Sequence, residues 1–212
     1  ITINVGGQSY ITTVGQNGTF SVAVPGSVLA ATGTNTVSAS VSHTDIAGNV
    51  GSAEASRDYA VDTTPPALSI ALDTIAGDNI INADESSQTI PVTGSVSGEF
   101  VAGDTVTLTI GNQSYIGTVN ADGTFSINVP GSQLAQNSSI SAAVSHTDAA
   151  GNIGSANTAA SYSVDTDAPL VTISLGTIAG DDVINAAEAE QDIAITGTVG
   201  GDTVPGDTVT IN

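Results

Sequence analysis

The chain of 212 residues carries 21 acidic side chains against a single basic one, Arg57, so its formal net charge at pH 7 is −20. This charge excludes binding to nucleic acid or to an anionic membrane through bulk electrostatics, and it makes cations the natural partners. Without cysteine the chain has neither disulfides nor thiolate metal ligands, and no direct membrane insertion is expected, because no apolar stretch approaches the roughly 20 residues of a membrane-spanning helix.

Residues 1–66 contain segments that return later in the chain. Segment 41–49 returns as segment 144–152, which lies 103 positions later, and Phe20 has its counterpart 105 positions later in Phe125. The difference of two residues places a small insertion within 31–40, in a loop. Self-similarity at a fixed period indicates one structural unit copied along the chain. Residues 1–66 are therefore interpreted as the C-terminal part of one repeat.

Residues 67–169 are predicted to form one complete repeat of seven β-strands. Apolar residues alternate there with small polar ones, and a period of two rich in threonine, valine and isoleucine indicates half-buried strands. The predicted strands are A (67–72), B (89–97), C (105–111), C′ (114–119), E (124–129), F (139–147) and G (153–164). Segment 130–137 is expected to cross between two sheets, with a helical turn at 132–134. The pair Asp122-Gly123 is typical of a tight hairpin turn that requires positive φ.

Seven short strands in one repeat predict an all-β fold, in which tandem immunoglobulin-like β-sandwiches follow one another in an extended array. Residues 170–212 repeat the first strands, so they are interpreted as the N-terminal part of the next copy. The proline-containing segments 61–66 and 164–169 are taken as boundaries, because proline interrupts a strand ladder. The chain is thus expected to start and stop within repeats, as a piece of a longer array.

Strand direction decides which loops meet at each end of such a sandwich. The long A–B loop and the end of strand G lie at one end, while the B–C and F–G loops lie at the other. A linker such as 165–167 is therefore expected to lie between the A–B loop of its own domain and the B–C and F–G loops of the next. This arrangement brings carboxylate and amide oxygens from three segments to each junction.

These oxygens predict calcium sites, because calcium accepts about six to eight oxygen ligands in a tolerant geometry, whereas magnesium demands a tighter octahedron. The candidate ligands, in chain order, are Asp45, Asn49, Asp62, Asp78, Asn82, Asp84, Glu85, Asp104, Asp148, Asn152, Asp165, Asp167, Asp181, Asp182, Asn185, Glu188 and Asp207. For any single member, a role in capping a turn is the more economical interpretation. For the whole set we favour metal binding, because acidic loops recur at equivalent positions and nearby uncompensated carboxylates repel one another.

Two motifs carry a resemblance to a known family. Asp-x-Ala-Gly-Asn at 45–49 and 148–152, followed by the proline-containing boundary segments, resembles bacterial immunoglobulin-like repeats of giant surface adhesins. The run Ala-Gly-Asp-Asn-Ile-Ile-Asn-Ala-Asp-Glu at 76–85 and its partner at 179–188 resemble, more narrowly, the extender repeats of repeats-in-toxin and biofilm-type adhesins. The resemblance spans the whole chain.

This resemblance implies a secreted protein that is retained at the bacterial cell surface and holds ligand-binding domains away from it, for attachment or biofilm formation, on a stalk stiffened by calcium. Calcium ions and neighbouring repeats of the same chain are the implied partners. The calcium positions that the resemblance implies are the linker residues Asp62 and Asp165, the F–G residues Asp45 and Asp148, and the A–B residues Asp78 and Asp181. One departure bears on the ligand set, because Ala187 stands in the last copy where Asp84 stands in the complete one.

Other functions agree less well with the sequence. An enzyme needs a nucleophile and a base from separate elements, yet Ser145, His146 and Asp148 are neighbours at the end of one strand. Both His146 and its counterpart His43 fall on inward-facing positions of strand F. A carbohydrate- or ligand-binding sandwich is the alternative, but the chain has no tryptophan and its four tyrosines recur singly at equivalent positions. An acidic surface adapted to high salt, without specific ions, is a third interpretation.

The incomplete repeats at the two ends allow one further partner. Residues 170–212 could supply strands A, B and part of C to residues 1–66 of another copy, which would complete a sandwich between two chains. Such strand exchange is kept as a hypothesis beside the neighbouring repeats and the calcium ions.

Overall fold

The structure is a computed structural model that describes residues 1–31, 33 and 35–212. Thr32 and Thr34 belong to the segment predicted to hold the insertion, and they lie outside the described residues, so that prediction stays open. We refer below to residues 1–66 as the N-terminal unit, to 67–169 as the central sandwich and to 170–212 as the C-terminal unit. Within the described residues, no helix is long and apolar enough to cross a membrane.

The N-terminal unit consists of one antiparallel sheet and a short helix. Its elements are β1 (Thr2–Val5), β2 (Gln8–Ile11), α1 (Gly26–Ala30), β3 (Thr36–Thr44) and β4 (Val50–Asp58). The strands lie in the order β2-β1-β3-β4. Segment 19–25, the counterpart of predicted strand E, forms no strand because the strand it would pair with is not in this unit. Phe20 of that segment is 48% exposed, whereas its counterpart Phe125 is 1% exposed.

The central sandwich contains two sheets that face each other. Its elements are β5 (Leu68–Leu72), a 3₁₀ turn (Ile75–Gly77), β6 (Ile80–Ile81), α2 (Ala83–Ser86), β7 (Thr89–Gly98), β8 (Thr105–Ile110), β9 (Gln113–Thr118), β10 (Thr124–Pro130), α3 (Gly131–Leu134), β11 (Ser139–Thr147), β12 (Ile153–Ser161) and β13 (Ser163–Val164). One sheet has the order β10-β7-β5 and the other β12-β11-β8-β9. In letters these are E-B-A and G-F-C-C′, which confirms the predicted all-β, immunoglobulin-like fold.

Alternating side chains from both sheets fill the space between them. In β10, for example, Phe125, Ile127 and Val129 point inward while the residues between them are exposed. Phe125 lies over its pairing partner Gly94, where a Cβ atom would come within 2.5 Å of the ring. Helix α3, at the predicted helical turn, closes one end of the core with Leu134, which is fully buried.

The predicted strand G is interrupted near its end. Strand β12 stops at Ser161, and Tyr162 turns into the core, where its hydroxyl donates to the Leu134 carbonyl at 3.0 Å. Beyond it the chain leaves the sheet, and β13 pairs in parallel with β6 of the A–B loop. The end of strand G is thereby directed toward the linker.

The C-terminal unit repeats the start of the central sandwich. It comprises β14 (Val171–Leu175), a 3₁₀ turn (Glu188–Glu190) and β15 (Gly197–Gly201). Val171 lies opposite Gly201, as Leu68 lies opposite Gly98 in the complete repeat. In the part of the chain that the structure describes, no sheet faces these two strands, so Ile173 is 61% exposed where its counterpart Ile70 is 9% exposed.

Candidate functional site at the linkers

The A–B loop holds four of the candidate ligands in local turns. Asp78 accepts a hydrogen bond from the Ile80 amide through Oδ1 at 2.9 Å. Asn82 caps helix α2, since its Oδ1 accepts from the Glu85 amide while the Glu85 carboxylate accepts from the Asn82 amide. Asp84 lies exposed in the first turn of the same helix. These bonds fix the loop, and they employ one oxygen of the Asp78 carboxylate.

The same loop recurs in the C-terminal unit with several of its hydrogen bonds preserved, although a 3₁₀ turn at Glu188–Glu190 replaces helix α2. Asp181 accepts from the Val183 amide at 3.0 Å, and Asn185 and Glu188 exchange the same pair of bonds as Asn82 and Glu85. Asp182 accepts from the Ile178 amide at 2.8 Å, in the place of Asn79. The replacement of Asp84 by Ala187 therefore leaves the bonds between Asn185 and Glu188 in place and removes an exposed carboxylate.

The first half of a linker that follows a complete sandwich is held by that sandwich. In the second linker, the Ser163 amide donates to the Asn79 carbonyl at 2.8 Å and the Asp165 amide to the Ile81 carbonyl at 2.9 Å. Asp165 in turn accepts from the Asp167 amide through Oδ1 at 3.3 Å. As the strand directions predicted, the linker therefore runs beside the A–B loop of its own domain.

The F–G hairpin between β11 and β12 explains the Asp-x-Ala-Gly-Asn motif. Asp148 accepts from the Ala150 and Asn152 amides through Oδ1, and from the Asn152 side chain through Oδ2 at 2.9 Å. The side-chain bond from Asn152 is the main cause that lowers the pKa of Asp148 below its ordinary 3.8. Asp45 and Asn49 form the same hairpin in the N-terminal unit.

Asn152 also reaches the linker that enters the central sandwich. Its side-chain nitrogen donates to the Asp62 carbonyl at 3.2 Å. The Asp62 carboxylate meanwhile accepts from the Thr64 amide through Oδ1 at 3.0 Å. The F–G loop of one domain and the linker from the preceding one are therefore in direct contact.

Asp104 of the B–C loop is committed to structure at both of its oxygens. Its Oδ1 lies 2.8 Å from Nδ1 of His146, and its Oδ2 accepts from the Val101 amide at 2.7 Å. The second contact recurs in the C-terminal unit, where Asp207 accepts from the Val204 amide at 2.8 Å. His146 faces inward and is partly buried, as its position in strand F predicted, whereas His43 is exposed because the N-terminal unit lacks the facing sheet.

The second half of the linker is held by contacts that the sequence did not lead us to expect. Pro66 is buried, and its carbonyl lies so close to Gly154 on β12 that a Cβ there would approach it to 2.0 Å. The Ala67 amide donates to the Glu99 carboxylate at 2.8 Å, and the Glu99 amide donates back to the Ala67 carbonyl at 2.9 Å. The signal available in the sequence was a glycine followed by an acid at 98–99, a pair that returns 103 positions later at 201–202.

A cleft at the first junction marks where the A–B loop of a complete domain lies. It has a volume of about 640 Å³, and its walls come from α1, the linker and the F–G loop: Gly26, Leu29, Ala30, Tyr59, Ala60, Val61, Asp62, Ala149 and Ala150. In the central sandwich the counterpart of Gly26 is Gly131, whose amide donates to the Gln88 carbonyl at the end of the A–B loop. A Cβ on Gly131 would lie 1.9 Å from the Glu85 carbonyl. The cleft is therefore the space that an A–B loop fills, beside both Asp62 and the next domain's F–G loop.

The candidate ligands are not all brought together within this one chain. Among the residues that the structure describes, no group of three or more histidine, cysteine, aspartate or glutamate side chains is close enough to hold a metal ion. Each junction contains only part of the predicted set: the first lacks an A–B loop and the second lacks a following F–G loop. The three segments thus meet in pairs, linker with A–B loop at one junction and linker with F–G loop at the other.

Comparison with solved structures identifies proteins of the same kind. The structure described as "Ca2+-stabilized adhesin helps an Antarctic bacterium reach out and bind ice" is 40% identical, with a TM-score of 0.82 over 95% of this chain and 48% of that one. That of "host cell surface retention of a 1.5-MDa bacterial ice-binding adhesin" is 41% identical, with a TM-score of 0.68 over 96% and 65% respectively. A bacterial immunoglobulin-like domain from the M. primoryensis ice-binding adhesin is 36% identical, over 49% of this chain and all of that domain, with a TM-score of 0.44.

Two other comparisons give no match: no protein-family model fits the chain, and no curated protein is similar to it. The chain spans about half the length of the first solved structure and 65% of the second. The similarity covers nearly the whole of the present chain and so agrees with the resemblance carried by its loop motifs. The chain belongs to the bacterial immunoglobulin-like extender repeats of large surface adhesins.

Proposed function

We propose that this chain is part of the stalk of a secreted bacterial adhesin, stiffened by calcium at the junctions between its domains. The stalk holds distal ligand-binding domains away from the cell surface for attachment or biofilm formation. The observation that carries this proposal is the cleft at the first junction. The space that an A–B loop would fill there adjoins Asp62 and the F–G loop. The description of a similar structure as a Ca²⁺-stabilized adhesin supports the choice of ion.

The residues at a complete junction fit calcium by their chemistry. The A–B loop supplies Asp78 and Asp84, the linker supplies Asp165 and Asp167, and the next F–G loop supplies the carbonyl and side-chain oxygens of 148–152. Several of these carboxylates use one oxygen in a turn, which orients the group and leaves the other for a hard cation. Calcium, when bound, would neutralise acids that have no lysine and only one arginine to balance them.

Three of the candidate residues are assigned a different part in the site. Asn82 and Glu85 cap helix α2 with each other, so we propose that they hold the loop in shape. Asp104 is held by His146 and by the Val101 amide, and we propose that it fixes the B–C loop beside the junction. The carboxylates of the linker and of the A–B loop remain the proposed ligands.

Scattering from two consecutive copies of residues 67–169 tests this function, because such a tandem contains one complete junction. With millimolar calcium we expect a long particle of fixed maximum dimension, and with EDTA a shorter and more variable one. If several hundred millimolar sodium chloride restored the long form as well as calcium does, the acidic surface adapted to salt would be the correct interpretation. If the profile did not change with EDTA, the stalk would be stiff without metal.

We infer that the chain has no catalytic role and that its tyrosines are structural. Tyr162 is buried with its hydroxyl bonded to Leu134, and Tyr59 donates to the Leu29 carbonyl at 2.8 Å. Burial raises the pKa of Tyr162 above its ordinary 10.0. A ligand platform would need such rings exposed side by side, and these two tyrosines do not provide one.

We further propose that the isolated 212-residue chain associates head to tail. The uncovered apolar positions of the C-terminal unit, such as Ile173 and Val199, are those that pack inside the central sandwich at Ile70 and Val96. The N-terminal unit carries the sheet that would cover them. Light scattering should show assemblies that grow with concentration and that Ile173→Asp abolishes; a monomer at all concentrations would contradict this partner.

A further inference from the structure

The linker is divided into two halves that are attached to different domains. In the second linker, the first half pairs with the A–B loop of the preceding sandwich through β13 and β6, a loop that the N-terminal unit does not contain. In the first linker, the second half is fastened to the following sandwich by a reciprocal pair of bonds between Ala67 and Glu99. The second linker has the same pair, because the Leu170 amide donates to Asp202 at 2.8 Å and the Asp202 amide donates to the Leu170 carbonyl at 2.7 Å.

The second attachment is built in the same way in both copies, although the acids differ in length. A glycine precedes each acid, with φ of +98° at Gly98 and +83° at Gly201. A Cβ at these glycines would lie 2.1 and 2.0 Å from the carbonyls of Ala67 and Leu170 respectively. Glycine is therefore required both by the backbone conformation and by the close approach of the linker. The bond to the linker amide recurs although Asp202 replaces Glu99, which indicates that this bond, and not the length of the acid, is the required feature.

In the second linker, four residues, 166–169, remain between the attached residues Asp165 and Leu170. The matching segment of the first linker is 63–65, because Pro66 is already buried against Gly154. The hydrogen bonds of these segments are local: the Thr64 amide donates to Asp62 and the Asp167 amide to Asp165. Rotation between two complete domains can therefore be absorbed only in this short middle segment.

We propose that Glu99 and Asp202 are positioning residues that anchor the second half of each linker to the following sandwich without metal. Bending between complete domains in the absence of calcium is then confined to the middle segment, which is 166–169 in the second linker. The calcium-dependent part rests on the proposed function, whereas the anchor stands on its own contacts. A metal ion at the junction then has only this short segment left to restrain.

Amide exchange and ¹⁵N relaxation on the full chain in EDTA test the anchor. We expect the Ala67 amide to be protected and as rigid as the sandwich, while Thr166 and Asp167 of the second linker move on the nanosecond timescale. Glu99→Ala should raise the exchange rate of the Ala67 amide about tenfold, since a hydrogen bond to a charged acceptor is lost. Glu99→Gln keeps an acceptor and should retain most of the protection.

A second pair of variants separates the linker contact from backbone strain. Gly98→Ala should expose the Ala67 amide, whereas Gly103→Ala should not, because Gly103 has nearly the same φ, +99°, with nothing within 4 Å of its Cβ position. Rapid exchange of Ala67 in the unaltered chain, or equal effects of the two glycine variants, would overturn the anchor. Rigid Thr166 and Asp167 in EDTA would overturn the short hinge and the need for calcium, while the anchor would stand if Glu99→Ala still exposed Ala67.

Discussion

Gly154 on β12 provides a sharp perturbation of the linker, because the chain contains its own control. A Cβ at Gly154 would lie 2.0 Å from the Pro66 carbonyl oxygen and 2.9 Å from the carbonyl carbon. Both atoms belong to the backbone, so the alanine variant has to push the linker away by about 1 Å or more. The equivalent residue of the N-terminal unit, Gly51, has nothing within 4 Å, because no linker precedes it in this chain.

The expected loss follows from this overlap. Overpacking against backbone costs about 1–3 kcal/mol of the free energy of unfolding, and the buried Pro66 would lose part of its contact as well. Gly51→Ala carries no such clash, and in a compatible strand a glycine-to-alanine change stabilises by about 0.4–1 kcal/mol. The two variants should therefore differ in sign.

Urea unfolding followed by ¹⁹F-tyrosine resonances measures both variants, because Tyr162 reports on the central sandwich and Tyr59 on the N-terminal unit. Gly154→Ala should lower the midpoint of the Tyr162 transition, whereas Gly51→Ala should leave that transition unchanged. If Gly154→Ala left the Tyr162 midpoint unchanged, the linker would not be packed on β12 and the division of the linker into two attached halves would be wrong.

Three further outcomes are expected. Phe125→Ala should cost about 3–5 kcal/mol of unfolding free energy in the central sandwich, while Phe20→Ala, at the half-exposed counterpart, should cost much less in its own unit; equal losses measured by urea unfolding would contradict the described packing. The pKa of Asp148 is lowered, mainly by Asn152, so the ionised carboxylate should stabilise its hairpin fully above pH 3.8, and this stabilisation should be lost as the pH falls through the lower folded-state pKa. Carboxyl ¹³C shifts should show the titration of Asp148 below pH 3.8, and Asp148→Asn should abolish that titration. Asn152→Ala and Asn49→Ala should both loosen their hairpins in amide exchange, but only Asn152→Ala should also raise the mobility of Asp62, whose carbonyl it binds.

The alternation of small polar and apolar residues was sufficient to predict the sheets. Strand F was predicted at 139–147 and is observed as β11 at Ser139–Thr147, and the helical turn after Pro130 is present as α3. Both depend on local signals, namely a period of two and a proline followed by glycine. The pairing of the strands into E-B-A and G-F-C-C′ followed from the fold class rather than from any single residue.

The end of strand G and the interior of the A–B loop could not be read from a local pattern. Residues 153–164 alternate without interruption, yet Tyr162 leaves the sheet because burying its ring and bonding its hydroxyl to Leu134 outweighs further pairing. Segment 73–88 was predicted as a loop, and it contains a 3₁₀ turn, β6 and α2. Strand β6 forms only because β13 comes to pair with it, a contact between residues more than 80 positions apart in sequence.

The candidate ligands illustrate the same limit. The sequence identifies which oxygens are present and at which end of a sandwich they lie. It does not separate Asp104, which is held by His146, from Asp167, which lies in the middle of the linker. Nor did it draw attention to Glu99, because an isolated acid after a strand resembles an ordinary surface residue, and only the nearby Ala67 amide gives it a role.

The central claim is that neighbouring sandwiches share a calcium ion, and calcium titration of one repeat against two tests it most directly. Residues 67–169 contain a complete core, so a single copy and a tandem of two can be compared under the same buffer. We expect the tandem to bind at least one calcium ion more tightly than any site in the single copy, and Asp165→Ala in its first copy to remove that ion. If the tandem bound twice as many calcium ions as the single copy, each with the affinity seen in the single copy, that result would contradict a shared site.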